Sequence, residues 1–149
     1  MTADARGLYQ QIILDHSRNP RHLGRLAGGG QQADGDNPLC GDRITVYVRI
    51  SGDVIDAAAF EGTGCAICIA SASLMTEAVR GKTIAEADAS GARVRELVTA
   101  APDLPIDDRD PLSALAGVRL FPVRAKCALL PWQTLRAALH QDHTIASTE

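Results

Sequence analysis

Cysteine residues give this chain its clearest potential for chemistry. Four are present, Cys40, Cys65, Cys68 and Cys127, and a single glycine separates Cys40 from Asp42. Thiolates act as nucleophiles and bind soft metals, whereas oxidised cysteine pairs form disulfides. The N-terminal residues lack a charged-then-apolar signal pattern, so we expect a reducing environment that disfavours disulfides. Metal binding, thiol chemistry and inert buried thiols all remain open at this point.

A predicted β-hairpin brings some of these positions together. Residues 43–50 alternate between apolar and polar side chains, which predicts a half-buried strand, and residues 54–60 return after a Ser-Gly-Asp turn. Cys40 and Asp42 lie just before the first strand, and Cys65 lies just after the second. Because the two outer ends of a hairpin meet at the same end of a sheet, we expect these three residues to be neighbours.

The remaining sequence is mainly helical in its periodicity. A hairpin or small antiparallel sheet followed by helices indicates an α+β fold, with the helices packed on one face of the sheet. The glycine-rich residues 24–37 predict a mobile surface loop, and Cys127 is expected just before a final helix that has Pro131 in its first turn. Helices are predicted at residues 6–17, 66–80, 90–101 and 111–117 and around Trp132. A capping box formed by Thr83 and Glu86 predicts the start of one more helix. A loop is predicted at residues 102–110 and a frayed end at residues 140–149.

The resulting donor set suits zinc. Cys65 and Cys127 are both expected at helix N-termini, where free N–H groups and the helix dipole favour thiolates. Three thiolates and the Asp42 carboxylate would form a tetrahedral zinc site, since sulphur ligands select zinc, copper(I) or iron–sulphur clusters over magnesium or calcium. The spacing of Cys65 and Cys68 also occurs in thioredoxin-like redox motifs, but the preceding sequence lacks the βαβ pattern of that fold.

Composition favours one compact domain spanning residues 1–149. The chain is 46% hydrophobic but only 3% aromatic, so aliphatic side chains must fill its core, and its formal net charge is −3. It has no long basic run, which argues against a nucleic-acid partner, and no apolar run of about 18 residues, which argues against a membrane span. We therefore expect a cytoplasmic protein.

Four longer motifs resemble the SufU-type proteins of bacterial iron–sulphur cluster assembly. These proteins belong to a scaffold superfamily that also includes IscU and the N-terminal part of NifU. The motifs run through almost the whole chain in order, and together they are highly specific. They are residues 8–20 (LYQQIILDHSRNP), 37–44 (NPLCGDRI), 60–78 (FEGTGCAICIASASLMTEA) and 121–132 (FPVRAKCALLPW).

Two features favour the SufU type over IscU. IscU proteins carry a histidine directly before the third motif cysteine, where this chain has Lys126. A lysine ammonium group has no lone pair for a metal, so the fourth ligand must come from elsewhere, and Asp42 is the available residue. SufU-type chains also carry an insertion between the second and third motif cysteines, which residues 82–120 resemble.

The resemblance implies a zinc-dependent sulphur acceptor. In this family a pyridoxal-phosphate-dependent cysteine desulfurase takes sulphur from cysteine and holds it as a persulfide. The SufU-type partner accepts that sulphur and passes it to downstream cluster-assembly proteins, so it is an enzyme only as a sulfurtransferase that turns over with its desulfurase. Carried over to this chain, the zinc ligands are Cys40, Asp42, Cys65 and Cys127. Cys40 is the acceptor thiol, and a histidine of the desulfurase is expected to take its place on zinc.

Several other residues have smaller expected roles. Cys68 stands where the family usually has serine, and we expect a packed helix residue rather than a spare thiol that relays sulphur or competes for zinc. Arg124 and Lys126 either form a solvated charged face or steer an acidic partner surface and stabilise a transferred persulfide. The four histidines are expected on the surface or in packing: His16, His22, His140 and His143.

Two alternative functions suit the same residues. An iron–sulphur scaffold would assemble a transient cluster on Cys40, Cys65 and Cys127, and the ligands alone do not separate that role from sulphur transfer, although Lys126 favours transfer. A purely structural zinc domain would bind another protein. A closed site of four cysteines would favour that third function, whereas a carboxylate ligand such as Asp42 suits exchange.

Overall fold

The chain folds into a small sheet and a set of helices. The computed structural model describes residues 3–28, 30–100, 110–141 and 146–147. In chain order the elements are α1 (Ala3–Arg18), β1 (Gln31–Asn37), β2 (Asp42–Ser51), β3 (Val54–Thr63), α2 (Ala66–Val79), α3 (Ile84–Thr99), a 3-10 helix (Pro111–Leu120), α4 (Pro122–Leu139) and β4 (Ala146–Ser147).

The predicted hairpin forms the centre of the sheet. β2 and β3 are antiparallel, and Ile44, Val46 and Val48 are buried as the alternation of the sequence predicts. The strands pair from Ser51 and Val54 at the turn to Arg43 and Thr63 at the far end. That far end is where the chain enters β2 and leaves β3, so the hairpin places residues 40–42 close to residue 65.

The strand beside β2 corrects the prediction of a mobile loop at residues 24–37. Gln31–Asn37 instead forms β1, which is antiparallel to β2 over all 7 of its residues. Its sequence, QQADGDN, lacks the apolar alternation and the β-branched residues by which strands are recognised. Pairing with β2 and packing of α4 against the strand stabilise it instead. The short β4 pairs in parallel with β1, so the prediction of a frayed end at residues 140–149 is wrong at residues 146–147.

The helices cover one face of the sheet, which confirms the predicted α+β class. α4 packs against β1 and β2, α2 packs against β3, and α1 and α3 contact these two helices from outside. The opposite face carries exposed ion pairs such as Arg49 with Asp56, whose Nε and Oδ2 atoms are 2.9 Å apart. The largest fully buried side chains belong to Phe60, Ile55, Met75, Leu115, Leu130, Leu135, Val46, Val48, Val79, Val94 and Val98.

α4 begins earlier than the sequence predicts. Pro122 occupies its first turn, where the missing N–H breaks no helical hydrogen bond. Cys127 therefore lies within the helix and not before it, and Pro131 lies in the helix interior and not in its first turn. Because Pro131 has no N–H, the carbonyl of Cys127, four residues earlier, loses its helical hydrogen bond.

The other helix predictions agree in type and differ at their boundaries. Both hydrogen bonds of the capping box are present: Glu86 N–H donates to Thr83 Oγ1 at 3.1 Å, and Thr83 N–H donates to Glu86 Oε1 at 3.0 Å. The helix that this box opens continues without interruption through the predicted helix at 90–101 as far as Thr99. Residues 111–117 belong to the 3-10 helix, which Asp110 caps. Residues 102–109 of the predicted loop and residue 101 of the predicted helix lie outside the described part of the chain.

Candidate metal centre

The turn between β1 and β2 holds Cys40 at the surface. Asn37 and Asp42 are cross-strand partners on either side of this turn. The backbone carbonyl of Asn37 accepts hydrogen bonds from the N–H groups of Cys40 (3.2 Å) and Gly41 (2.9 Å). Gly41 has a φ of 74°, a left-handed conformation that glycine adopts without steric cost. The turn thus leaves Cys40 partly exposed and directs the chain inward at Asp42.

Asp42 is fully buried, and both of its carboxylate oxygens have donors. Oδ1 accepts the backbone N–H of Cys65 at 2.9 Å, and Oδ2 lies 3.4 Å from Nδ2 of Asn37. Cys65 is the N-cap of α2, as the sequence predicts, and its own side chain makes no cap hydrogen bond. The Asp42 carboxylate therefore satisfies a free N–H at the start of α2 and complements the helix dipole.

Cys127 reaches the same place from α4. Its side chain is fully buried, and its Sγ lies 3.8 Å from Nδ2 of Asn37. Burial raises the pKa of the Cys127 thiol, and the neighbouring Asp42, Cys40 and Cys65 raise it further. A cation bound among these groups would reverse this effect, because it stabilises the thiolate.

Three of the four expected ligands form one cluster. The Sγ atoms of Cys40 and Cys127 and a carboxylate oxygen of Asp42 all lie within 4.8 Å of one another. In a tetrahedral site with Zn–S bonds of about 2.3 Å, the ligand atoms are about 3.8 Å apart, so a contraction of about 1 Å would close this group around one ion. Two sulphur donors and one carboxylate fit zinc better than a hard cation such as magnesium.

Cys65 lies beside this cluster and outside the 4.8 Å group. Its backbone N–H donates to Asp42 Oδ1, and its thiol contributes to the raised pKa values of Cys127 and Arg124. Its side chain is partly exposed and makes no cap hydrogen bond. The structure therefore places Cys65 within reach of the cluster without bringing its thiol into it.

Because Gly64 has no side chain, it leaves room for the Asp42 carboxylate. A Cβ atom at position 64 would lie 2.8 Å from Asp42 Oδ1 and 3.3 Å from Cβ of Cys68. The first distance is shorter than van der Waals contact allows, so any larger residue would displace the carboxylate or shift the start of α2.

We expect Gly64→Ala to raise the dissociation constant for zinc about tenfold, because displacing an orienting contact of a metal ligand typically weakens binding by that factor or more. Competition with a chromophoric chelator measures the change. Gly117→Ala is the matched control, since nothing lies within 4 Å of a Cβ atom added there. Wild-type affinity in Gly64→Ala would show that metal binding does not depend on this placement of Asp42.

Cys68 is buried in the first turn of α2. Burial raises the pKa of its thiol, and the charges of Asp42, Cys65 and Cys40 raise it further. The thiolate is the nucleophilic form, so this placement favours the packing interpretation of Cys68 over the spare-thiol alternative.

Apolar side chains surround the open side of the cluster. Leu39, Phe121 and Val123 are 64%, 60% and 57% exposed. Together with Cys40 and Arg124 they line a shallow depression of about 590 Å³. We call Leu39, Phe121 and Val123 the apolar rim.

Arg124 combines this rim with a positive charge. The electrostatic attraction of Cys65, with a further contribution from Cys127, raises the pKa of Arg124 above its ordinary value. Lys126 is only partly exposed on the same helix, one residue before Cys127. Of the two cationic residues singled out from the sequence, Arg124 is therefore the one placed against the thiols.

The histidines of the described chain lie away from the cluster. Within the described residues, the cluster consists of Cys40, Asp42 and Cys127. His143 falls outside the described residues. The other three contact side chains elsewhere: His16 Nδ1 lies 2.7 Å from Ser73 Oγ, His22 Nδ1 lies 2.6 Å from Arg80 Nη1, and His140 Nε2 lies 2.7 Å from Asp88 Oδ2.

Asn37 is the site residue that sequence reasoning missed. It was placed at the end of a mobile loop, yet it is fully buried and touches the cluster with both its side chain and its backbone. Its position at the start of the NPLCGDRI motif was the available signal, because the resemblance already covers residues 37–44.

In the part of the chain that the structure describes, no helix has the length and apolar character needed to cross a membrane.

Comparisons with known proteins agree on a family and differ on a role. Residues 8–146 match the family model described as the NifU-like N terminal domain. The chain is 39% identical over 135 residues to the zinc-dependent sulfurtransferase SufU of Bacillus subtilis, with 91% of each chain covered. It is also 39% identical over 135 residues to the iron–sulphur cluster assembly scaffold protein IscU of Streptococcus pyogenes, with 91% of this chain and 84% of that one covered.

A solved structure gives the same picture of the fold. A protein from Fervidobacterium islandicum, described as an iron–sulphur cluster assembly scaffold for the SUF system, superimposes with a TM-score of 0.79 at 34% identity. The match covers 90% of this chain and 98% of that chain.

Proposed function

Because this chain belongs to the NifU-like N-terminal domain family of iron–sulphur cluster assembly proteins, we propose that it acts as a zinc-dependent sulphur acceptor. The sulphur donor would be the persulfide of a pyridoxal-phosphate-dependent cysteine desulfurase. The observation that supports this most is the unequal exposure of the cluster: Asp42 and Cys127 are fully buried, whereas Cys40 is partly exposed. Of these three clustered ligands, Cys40 can therefore meet a partner while the two buried ones stay in place.

The zinc in this proposal is held by Cys40, Asp42 and Cys127, with Cys65 as the fourth ligand. When bound, zinc supplies the positive charge that stabilises thiolates in a buried site. Asp42 is held by donors on both carboxylate oxygens, and Cys127 is held within α4. The two buried ligands are thus anchored on two different elements, β2 and α4, which suits a site that must persist through repeated transfers.

Cys40 is the acceptor thiol in this proposal. Its thiolate sulphur attacks the terminal sulphur of the desulfurase persulfide. The S–S bond of the desulfurase breaks, its cysteine leaves with the bonding electrons and takes up the proton that Cys40 gave up, and a new S–S bond forms on Cys40. The transfer converts one thiol and one persulfide into another such pair, so no external oxidant or reductant is needed.

The apolar rim and Arg124 would form the surface that meets the desulfurase. Exposed apolar side chains around a reactive group are typical of protein contact sites. Arg124 places a positive charge beside the path of an anionic persulfide, where charge-assisted hydrogen bonds are strong.

We expect Arg124→Ala to raise the acceptor concentration that half-saturates the desulfurase about fivefold, as is typical for one charge at the rim of an interface. Its zinc content should stay unchanged, because the guanidinium group is not a metal ligand. Steady-state turnover at varied acceptor concentration measures the effect, and Arg136→Ala near the far end of α4 is the control. Unchanged half-saturation would place Arg124 on a solvated face with no role in pairing.

A second candidate is the scaffold role, in which iron and sulphide are assembled on Cys40, Cys65 and Cys127. Two of the similar proteins are described as scaffolds, which is the observation in its favour. The same sulphur atoms would serve either role. Lys126, which cannot bind a metal while charged, favours sulphur transfer.

The metal content of the protein as purified from cells tests the proposed function. We expect colourless protein with close to one zinc per chain. Brown protein that contains iron and acid-labile sulphide would support the scaffold role instead.

Chelation should also lower the melting temperature clearly, because metal-binding energy at a site that joins distant segments contributes to folding.

A further inference from the structure

Asn37 is the last residue of β1 and lies opposite the first residue of β2, Asp42. It is fully buried, although a neutral amide is seldom buried without a complete set of hydrogen bonds. The Asn37 side chain points into the metal-ligand cluster. Because side chains alternate along a strand, the preceding residue of β1 faces the opposite side of the sheet.

The contacts of Asn37 reach three of the four expected ligands. Its Nδ2 group donates to Asp42 Oδ2 at 3.4 Å and to Cys127 Sγ at 3.8 Å. Its backbone carbonyl accepts the N–H of Cys40 at 3.2 Å. These are long contacts, consistent with a cluster whose ligand atoms would draw closer around an ion.

The orientation of the Asn37 amide also carries information. Its Oδ1 atom is buried and has no hydrogen-bond partner among the residues that the structure describes. Rotating the amide by half a turn would remove both donor contacts and set this oxygen against the Asp42 carboxylate and the Cys127 sulphur, which are acceptors when ionised. The amide therefore directs its donor group at the metal ligands and leaves its own oxygen unsatisfied. Such an orientation is expected when the side chain positions the ligands and does not merely stabilise the fold.

We propose that Asn37 is a positioning residue that holds Asp42 and Cys127 in metal-binding geometry. Its two side-chain hydrogen bonds go to the buried ligands, and only its backbone supports the turn that carries Cys40. The buried half of the site is thereby fixed independently of the exposed thiol. The release of Cys40 during transfer rests on the proposed function, but the effect of Asn37 on metal affinity does not.

Asn37→Leu tests this proposal because leucine has the same branching and lacks both the donor and the unpartnered acceptor. We expect the melting temperature of the metal-free variant to change little, since removal of the Asn37 acceptor offsets the loss of a donor to Asp42 Oδ2. We expect its dissociation constant for zinc to rise at least about tenfold, the usual effect of losing a group that orients metal ligands. A chelator competition gives the affinity. The visible spectrum of the cobalt(II)-substituted protein should shift, because it reports ligand geometry directly.

The control is Gln32→Leu, an exposed position on the same strand, which should change neither zinc affinity nor the cobalt spectrum. Asn37→Ala provides a second variant should leucine prevent folding, and the same loss of affinity is expected. Wild-type zinc affinity and an unchanged cobalt spectrum in a folded Asn37 variant would overturn the proposal. A lowered melting temperature of the metal-free protein with unchanged affinity would make Asn37 a structural residue only. None of these measurements involves the desulfurase, so failure of the sulphur-acceptor role would leave them unaffected.

Discussion

Asp42→Ala should lose zinc and sulphur acceptance together. Asp42 supplies the oxygen ligand atom of the candidate cluster and is wholly buried. Its removal also leaves the N–H of Cys65 and Nδ2 of Asn37 without their acceptor, so the start of α2 and the end of β1 lose a shared contact. Since loss of an orienting partner alone costs about 10–100-fold in metal affinity, we expect loss of the ligand itself to exceed about 100-fold.

Elemental analysis and chelator competition measure this loss, beside desulfurase turnover with the variant as acceptor. Asp34→Ala is the matched control, because Asp34 is an exposed aspartate on β1 whose carboxylate bonds to Thr45. That control should bind zinc and accept sulphur normally. If Asp42→Ala retained one zinc per chain at wild-type affinity, the carboxylate would not be a ligand and the assigned donor set would be wrong.

Cys40→Ala should separate the two properties that Asp42→Ala removes together. We expect the variant to retain much of its zinc, because Asp42, Cys65 and Cys127 remain, and to accept no sulphur. The remaining ligands are Asp42 in β2, Cys65 at the N-cap of α2 and Cys127 in α4, and none of these elements contains residue 40. Zinc content by elemental analysis and persulfide mass after incubation with desulfurase and cysteine give the two readings on one sample.

The control for this variant is Cys68→Ser, which removes a different thiol, one that is buried in the first turn of α2. It should keep zinc and sulphur acceptance near wild-type levels. A loss in Cys68→Ser comparable to that in Cys40→Ala would make Cys68 part of the transfer, contrary to its placement in the core.

The hairpin and the meeting of its ends were predictable because local patterns determine them. Alternation in residues 43–50 identifies β2, a short turn leads to β3, and the geometry of any hairpin then brings residues 40–42 close to Cys65. The family resemblance, which the comparisons confirm, added the role of Cys127, whose approach depends on how α4 packs and has no local signal.

Other features depend on tertiary contacts and could not be read from local patterns. β1 has a polar, glycine-containing sequence and exists because β2 and α4 flank it, so its prediction as a loop failed. The sequence predicts Pro131 in the first turn of the last helix, yet α4 begins at Pro122 and accommodates Pro131 internally, so Cys127 lies within α4 and not before it. The positioning role of Asn37 followed only once β1 was known to end against Asp42.

Locating the transferred sulphur on the wild-type protein tests the central claim most directly. After incubation with a cysteine desulfurase and cysteine, the free thiols and persulfides are alkylated, the chain is digested, and the peptides that contain each cysteine are weighed. The account predicts one additional sulphur atom on the peptide of Cys40, and no gain of sulphur anywhere in Cys40→Ala. An added sulphur on Cys65, Cys68 or Cys127 that persists in Cys40→Ala would contradict it.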